Sequence, residues 1–216
     1  MNVTEDIDRI HALIDKVYNF FGEEYYAQGR HGTSVATGAA VKAATQVVEE
    51  NGGRVMLFTS TLGAAQGCGR VQNRYNATLF NTDQEATKML APEQSFFREL
   101  ALDCTSKCIA VDLFVSLNLK HKSLDLASIA PLAGISGGDL YFYADFDCYK
   151  HGEQLYFQIF RNLTRVTASD IMCKVRVSTG LTVTDYFGQF NNYQMSEFGQ
   201  AALDQDKVFG VAIRND

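Results

Sequence analysis

The chain opens with apolar residues at three- and four-residue steps. Ile7, Ile10, Leu13, Ile14, Val17, Phe20 and Phe21 fall on one helical face, with Thr4 placed to cap it, Glu5, Asp6 and Asp8 at its positive end and Gly22 to stop it. After a polar stretch from Gly29 to Gly32, Ser34 to Glu50 predicts a second helix packing through Ala39, Val41, Ala44 and Val48, closed by Asn51-Gly52-Gly53. Arg54 to Ser60 is a short continuous apolar run between turn signals, which predicts a strand buried on both faces. A long loop from Thr61 to about Ala91 follows, and helical spacing returns from Pro92, with Phe96, Phe97, Leu100, Ala101 and Cys104 on one side. Ile109 to Val115 is a second buried strand, Leu124 to Leu132 a short helix, Asp139 to Tyr143 a third strand and Gln154 to Val166 an amphipathic helix.

Strand–helix alternation of this kind predicts an α/β fold with a mostly parallel sheet. After Val166 the period changes to two. Ile171 to Ser178, Leu181 to Phe190 and Lys207 to Arg214 read as three extended runs with no helix between them, hence antiparallel β structure. A domain boundary is therefore expected near residue 167, giving domains 1–166 and 167–216. The second holds only about 50 residues, short for an independent sandwich, so the chain reads as a fragment.

Composition narrows the class. At 216 residues, 46% hydrophobic and 20% charged, the chain is long enough for a sizeable core, and no window approaches 18 uninterrupted apolar residues, which predicts no transmembrane helix. The start, Met1-Asn2-Val3-Thr4-Glu5-Asp6, lacks the basic and apolar regions of a secretory signal. A net charge of −6 argues against nucleic acid as a partner. Five scattered cysteines without a CxxC predict reduced thiols in the cytosol, where the sequons at Asn2, Asn76 and Asn162 carry no meaning.

Catalytic motifs are lacking. The loop Gly63-Ala-Ala-Gln-Gly67-Cys-Gly69-Arg70 follows a buried strand, where phosphate loops sit, but no Gly-Lys-Ser/Thr leads into a helix, so a structural turn or partner-binding loop is the better reading. Cys104 and Cys108, four apart on a helix, face one side and read as packed thiols rather than metal ligands. His11, His31, His121 and His151 have no recognisable acid or nucleophile beside them, GxSxG is missing, and Asp103-Cys-Thr-Ser lacks the spacing of the DxSxS metal loop of von Willebrand A modules. Not an enzyme, and no cofactor, is the expectation. The notable polar pair is Lys174 and Arg176, two apart on an expected strand and so on one face, where two cations suit a carboxylate, a sorting acid or an anionic headgroup.

Ordered blocks of residues resemble a known family. Gly52-Gly53-Arg54-Val55-Met56-Leu57-Phe58, then Leu62-Gly63, Gly67, Gly69, Val71 and Asn73-Arg74, are similar to the cargo-selecting subunit of the COPII vesicle coat, the Sec twenty-four family. The resemblance continues through Phe96-Phe97, Cys104, Val111 to Phe114, Asp125 to Ser128 and Gly137-Gly138-x-x-Tyr141-x-Tyr143. It is densest from Met172 to Leu181, followed by Tyr186-Phe187-Gly188. It implies a later trunk domain of von Willebrand A-like (Rossmann-type) fold over residues 1–166, then the start of a β-sandwich domain. It also implies partners: a GTPase-activating subunit (Sec twenty-three), a Sar-type small GTPase, cargo and SNARE sorting peptides, and peripheral contact with endoplasmic-reticulum membrane from the cytoplasm. The family's basic cargo site matches Lys174 and Arg176, with Lys where the family more often has Arg. Zinc belongs to a zinc ribbon outside this sequence, as do the early trunk, helical and gelsolin-like regions. The alternative is a stand-alone von Willebrand A-like interaction domain outside the coat.

Overall fold

Helix α1 (Ile7–Phe21) forms where the apolar stripe predicts it, with Arg9 paired to Asp6 at 3.0 Å. The computed structural model describes residues 6–21, 35–61, 63–65, 67–117, 125–194 and 197–215. The expected cap Thr4, Glu5, the stop Gly22, the Gly29–Gly32 segment, His31, Leu62, His121 and Leu124 lie outside them. Residues 1–33 and 34–216 form two units, and α1 belongs to the first.

In the second unit, α2 (Thr37–Val48) leads to β1 (Gly53–Thr59), α3 (Phe96–Ser106), β2 (Ile109–Ser116), α4 (Leu126–Ser136), β3 (Leu140–Tyr143) and α5 (Cys148–Thr164). The three strands are parallel in the order β1-β2-β3, with Val55 opposite Val111 and Leu113 opposite Leu140. Strand β2 is buried throughout, as a central strand must be. The expectation of two-sided burial fails for β1: among the described residues it is an edge strand, only half-buried, with Phe58 54% exposed. One face of the sheet carries Val55, Leu57, Val111, Leu113 and Val115 into a core with Val41, Phe97, Leu100, Cys104, Ile129 and Leu132 from α2, α3 and α4. On the other face Phe58, Phe114 and Tyr141 stack in a row across the strands, at 4.7 and 4.6 Å between centroids. Arg54 bridges that face to α5, donating to Asp112 (2.8 Å) and to Asn162 (2.5 Å).

Several boundaries shift for local reasons. Helix α5 begins six residues before its expected start because the Asp147 carboxylate accepts the Tyr149 N–H at 2.9 Å and caps it. Helix α3 begins at Phe96 rather than Pro92. Helix α4 runs on to Ser136 with Pro131 inside, ending at Gly137 in the left-handed region (φ 82°). The long loop holds short helical turns at Ala77–Leu79 and Asp83–Leu90.

Beyond Val166 the structure has β4 (Thr167–Cys173), β5 (Leu181–Phe187), β6 (Asn191–Gln194), β7 (Glu197–Asp204) and β8 (Gly210–Asn215). They form two antiparallel sheets, β4-β7-β6 and β5-β8. Three strands were expected; β6 and β7 are additional. Strand β7 is the most buried of the five, carrying Phe198, Ala201 and Ala202 inward. It packs on α3, α4 and β2, close enough that a Cβ on Gly137 would lie 2.6 Å from the Ala202 carbonyl oxygen.

A polar seam joins this sheet to the α/β layers. Arg165, at the end of α5, reaches Asp139 before β3 and Asp204 at the end of β7, the latter at 3.0 Å. Lys207 donates to the Asp139 carboxylate and, at 2.7 Å, to the Gly138 carbonyl. Burial pushes the Asp139 carboxyl up, but hydrogen bonds from Lys207 and Arg165 outweigh it and hold the group below its ordinary range.

Candidate functional site

Strand β4 and its continuation present alternate residues to solvent. Met172, Lys174, Arg176 and Ser178 are exposed, while Ile171, Cys173, Val175 and Val177 turn inward. The shared face expected for Lys174 and Arg176 is therefore present, with one correction: the ladder to β7 ends at Cys173, so both cations lie on an extended continuation rather than within a paired strand. This continuation is held by the next sheet. The Val175 N–H donates to the Tyr186 hydroxyl at 3.1 Å, and the Tyr186 ring packs on Phe198 at 5.1 Å between centroids.

The two cations differ in their surroundings. Lys174 Nζ lies 2.7 Å from Glu197 Oε1, a pair with both side chains partly exposed. Arg176 makes no ion pair among the described residues. Met172, 69% exposed, stands two residues before Lys174 on the same face. The surface thus offers an apolar side chain, a neutralised cation and an open guanidinium along one extended line, a geometry suited to an extended peptide bearing a carboxylate. Glu197 and the hydroxyl of Tyr186 were not expected from sequence; Glu197 is set in place by the unread β6–β7 hairpin.

Other candidates resolve into structural roles. Where the Gly-rich loop meets the helices, a Cβ on Gly38 of α2 would sit 2.3 Å from the Cys68 carbonyl oxygen of the loop, and one on Gly69 of the loop would sit 2.7 Å from the Phe96 ring. Those glycines let the loop seat directly on α2 and α3, and Val71 N–H closes it onto the Gly63 carbonyl at 2.9 Å. Cys104 and Cys108 do not share a helix face: α3 ends at Ser106 and Cys108 lies beyond it with φ 56°. Burial, then the neighbouring Asp103 charge, pushes the Cys104 thiol up to about 11, so it stays protonated. Asp103 to Ser106 close α3, where the Thr105 hydroxyl bonds the Ala101 and Ile135 carbonyls. His151 accepts the Asp147 N–H at 3.0 Å within the cap of α5. Asn162 is buried against Arg54. An open cavity of about 600 Å³ between β3 and α5 is lined by Tyr141, Phe157, Arg161 and Arg165, but both arginines are paired with Asp206 or Asp139. Among the described residues no group of three or more His, Cys, Asp or Glu comes together to hold a metal, and no helix is long and apolar enough to cross a membrane.

Residues 1–163 match the Sec23/Sec24 trunk domain family. The chain belongs to that family. As a Sec23/Sec24 trunk-domain chain it is 30% identical over 217 residues to the human protein transport protein Sec24C, an alignment covering all of this chain and 19% of the human protein. It is 34% identical over 178 residues to the protein transport protein SEC24 of Dictyostelium discoideum, covering 82% of this chain and 17% of that protein. The crystal structure of the human COPII-coat protein Sec24c superimposes with a TM-score of 0.89 at 27% identity, over 100% of this chain and 28% of that one. The chain therefore spans about a fifth of the length of the curated relatives it matches. The superposition takes in the antiparallel strands as well as the α/β layers, so the fold class agrees with the expectation from sequence.

Proposed function

We propose that this chain is part of a cargo-selecting subunit of the COPII coat, acting in transport from the endoplasmic reticulum to the Golgi. The observation that carries this reading is the superposition on the COPII-coat protein Sec24c along the whole chain, antiparallel strands included. A stand-alone von Willebrand A-like domain has no need of those strands. In this reading residues 1–166 are the later trunk and 167–216 the start of a β-sandwich. The trunk pairs with the GTPase-activating Sec23 subunit, under a Sar-type GTPase, on the cytoplasmic surface of endoplasmic-reticulum exit sites. The role is adaptor rather than enzyme, and these residues hold no zinc or other cofactor.

Lys174 and Arg176 dock the carboxylate of a cargo or SNARE sorting peptide, with Met172 beside them for an apolar residue. Support comes from their shared exposed face and from the Arg176 guanidinium, which has no ion pair among the described residues. Fluorescence-anisotropy titration of the full chain with an acidic, Leu-containing peptide tests this. Lys174→Ala/Arg176→Ala should weaken binding by about 1.5–3 kcal/mol for each charge-assisted hydrogen bond lost, with circular dichroism unchanged. Equal affinity in the double variant removes the site from the proposal. Failure of the chain to capture Sec23 in a pulldown counts against the coat assignment.

A further inference from the structure

We infer that Glu197 sets how many carboxylates this site accepts: it occupies Lys174 in the unliganded protein and leaves Arg176 as the anchoring cation. The inference rests on the docking role given above to Lys174 and Arg176. Glu197 opens β7, where Phe198 is opposite Cys173, so the next residue of each strand, Glu197 and Lys174, come face to face. Glu197 itself is opposite Gln194 across the β6–β7 hairpin. Two ladders therefore fix the backbone from which the carboxylate reaches Lys174 at 2.7 Å. A pair this exposed adds little to stability, but it changes what a ligand meets. Arg176 lies two residues further along the same face, about 7 Å away, past the end of the β4–β7 ladder.

Lys174, Arg176 and Glu197 together carry one net positive charge. A peptide with one carboxylate can take the Arg176 guanidinium in a two-pronged hydrogen bond without opposition. A second carboxylate, aimed at Lys174, arrives beside the Glu197 charge and must displace it. The site thus favours singly acidic over doubly acidic signals through repulsion rather than through a lost contact.

The test uses the full chain and two peptides, amidated and acetylated at their ends, identical except that one bears a single acid and the other bears two acids two residues apart. Anisotropy titrations at fixed ionic strength give both dissociation constants for wild type, Arg176→Ala, Glu197→Gln and Lys174→Ala/Glu197→Gln. The expected result is that wild type binds the one-acid peptide more tightly than the two-acid peptide. Glu197→Gln then leaves the one-acid peptide within about twofold but tightens the two-acid peptide about fivefold, the factor one like-charge contact is worth under water-like screening. Adding Lys174→Ala should erase that gain. Binding that depends on Arg176 but shows the same one-acid to two-acid ratio in Glu197→Gln overturns the role of Glu197 and leaves the site standing. An equal gain for both peptides also overturns it, as a general charge effect. Binding indifferent to Lys174 and Arg176 overturns the site and the inference with it.

Discussion

A Cβ added to Gly138 would lie 1.9 Å from the Val111 carbonyl oxygen, and that oxygen belongs to the central strand of the sheet. Main-chain atoms of β2 cannot move aside as a flexible side chain can, so Gly138→Ala should cost about 3 kcal/mol, read from the urea unfolding midpoint. Gly134, inside α4, has nothing within 4 Å of the same added atom. Gly134→Ala should be neutral or stabilise by up to about 1 kcal/mol, because alanine loses less backbone freedom in a helix. A Gly138 variant as stable as wild type would contradict the contact described between Gly138 and β2. Neither glycine's environment is legible locally. Both are small residues next to a helix end, and only the fold shows that one abuts a strand while the other faces open space.

Among elements, the extended continuation of β4 shows how a segment is held without a ladder. From Lys174 to Val177 no strand pairing is present among the described residues, and the Tyr186 hydroxyl supplies an acceptor for the Val175 N–H. Tyr186→Phe removes that acceptor and leaves the ring packing on Phe198. The expected cost is about 1 kcal/mol, with faster hydrogen exchange at the Val175 amide and weaker peptide binding at Lys174 and Arg176. Unchanged protection at Val175 would show that this bond does not order the segment. The period-two pattern from Met172 to Ser178 revealed which residues share a face, because side-chain direction follows from extended backbone alone. It did not reveal where pairing stops, since that depends on β7, whose residues from Glu197 to Asp204 are mostly polar or small and carry no alternation.

For the whole molecule, the seam around Asp139 fastens the antiparallel sheet to the α/β layers. Asp139→Asn would leave Arg165 and Lys207, 4% and 10% exposed at their side chains, without one of their counter-charges. Stripping one member from a buried ion network typically costs about 3–5 kcal/mol. The folded state holds the Asp139 carboxyl below its ordinary range, so the unfolded chain binds that proton more tightly. Its contribution is therefore complete above about pH 4 and drains away as the pH falls through the carboxylate range. Unfolding midpoints measured from neutral to acid pH should fall more steeply in wild type than in Asp139→Asn. Parallel curves would mean that Asp139 titrates alike in both states.

The sequence by itself determined the helices, the buried central strand, the change to antiparallel structure after Val166 and the common face of Lys174 and Arg176. Each of these depends on periodicity, a property of neighbours along the chain. The tertiary structure decided the rest. An apolar run such as Arg54 to Ser60 looks alike at the edge and at the centre of a sheet, so only the strand order makes β1 half-exposed. Strand β7 is buried by packing on α3, α4 and β2, not by its own hydrophobicity. Glu197 meets Lys174 across 23 residues of chain because two antiparallel ladders converge there, and no local pattern encodes a meeting that register alone produces.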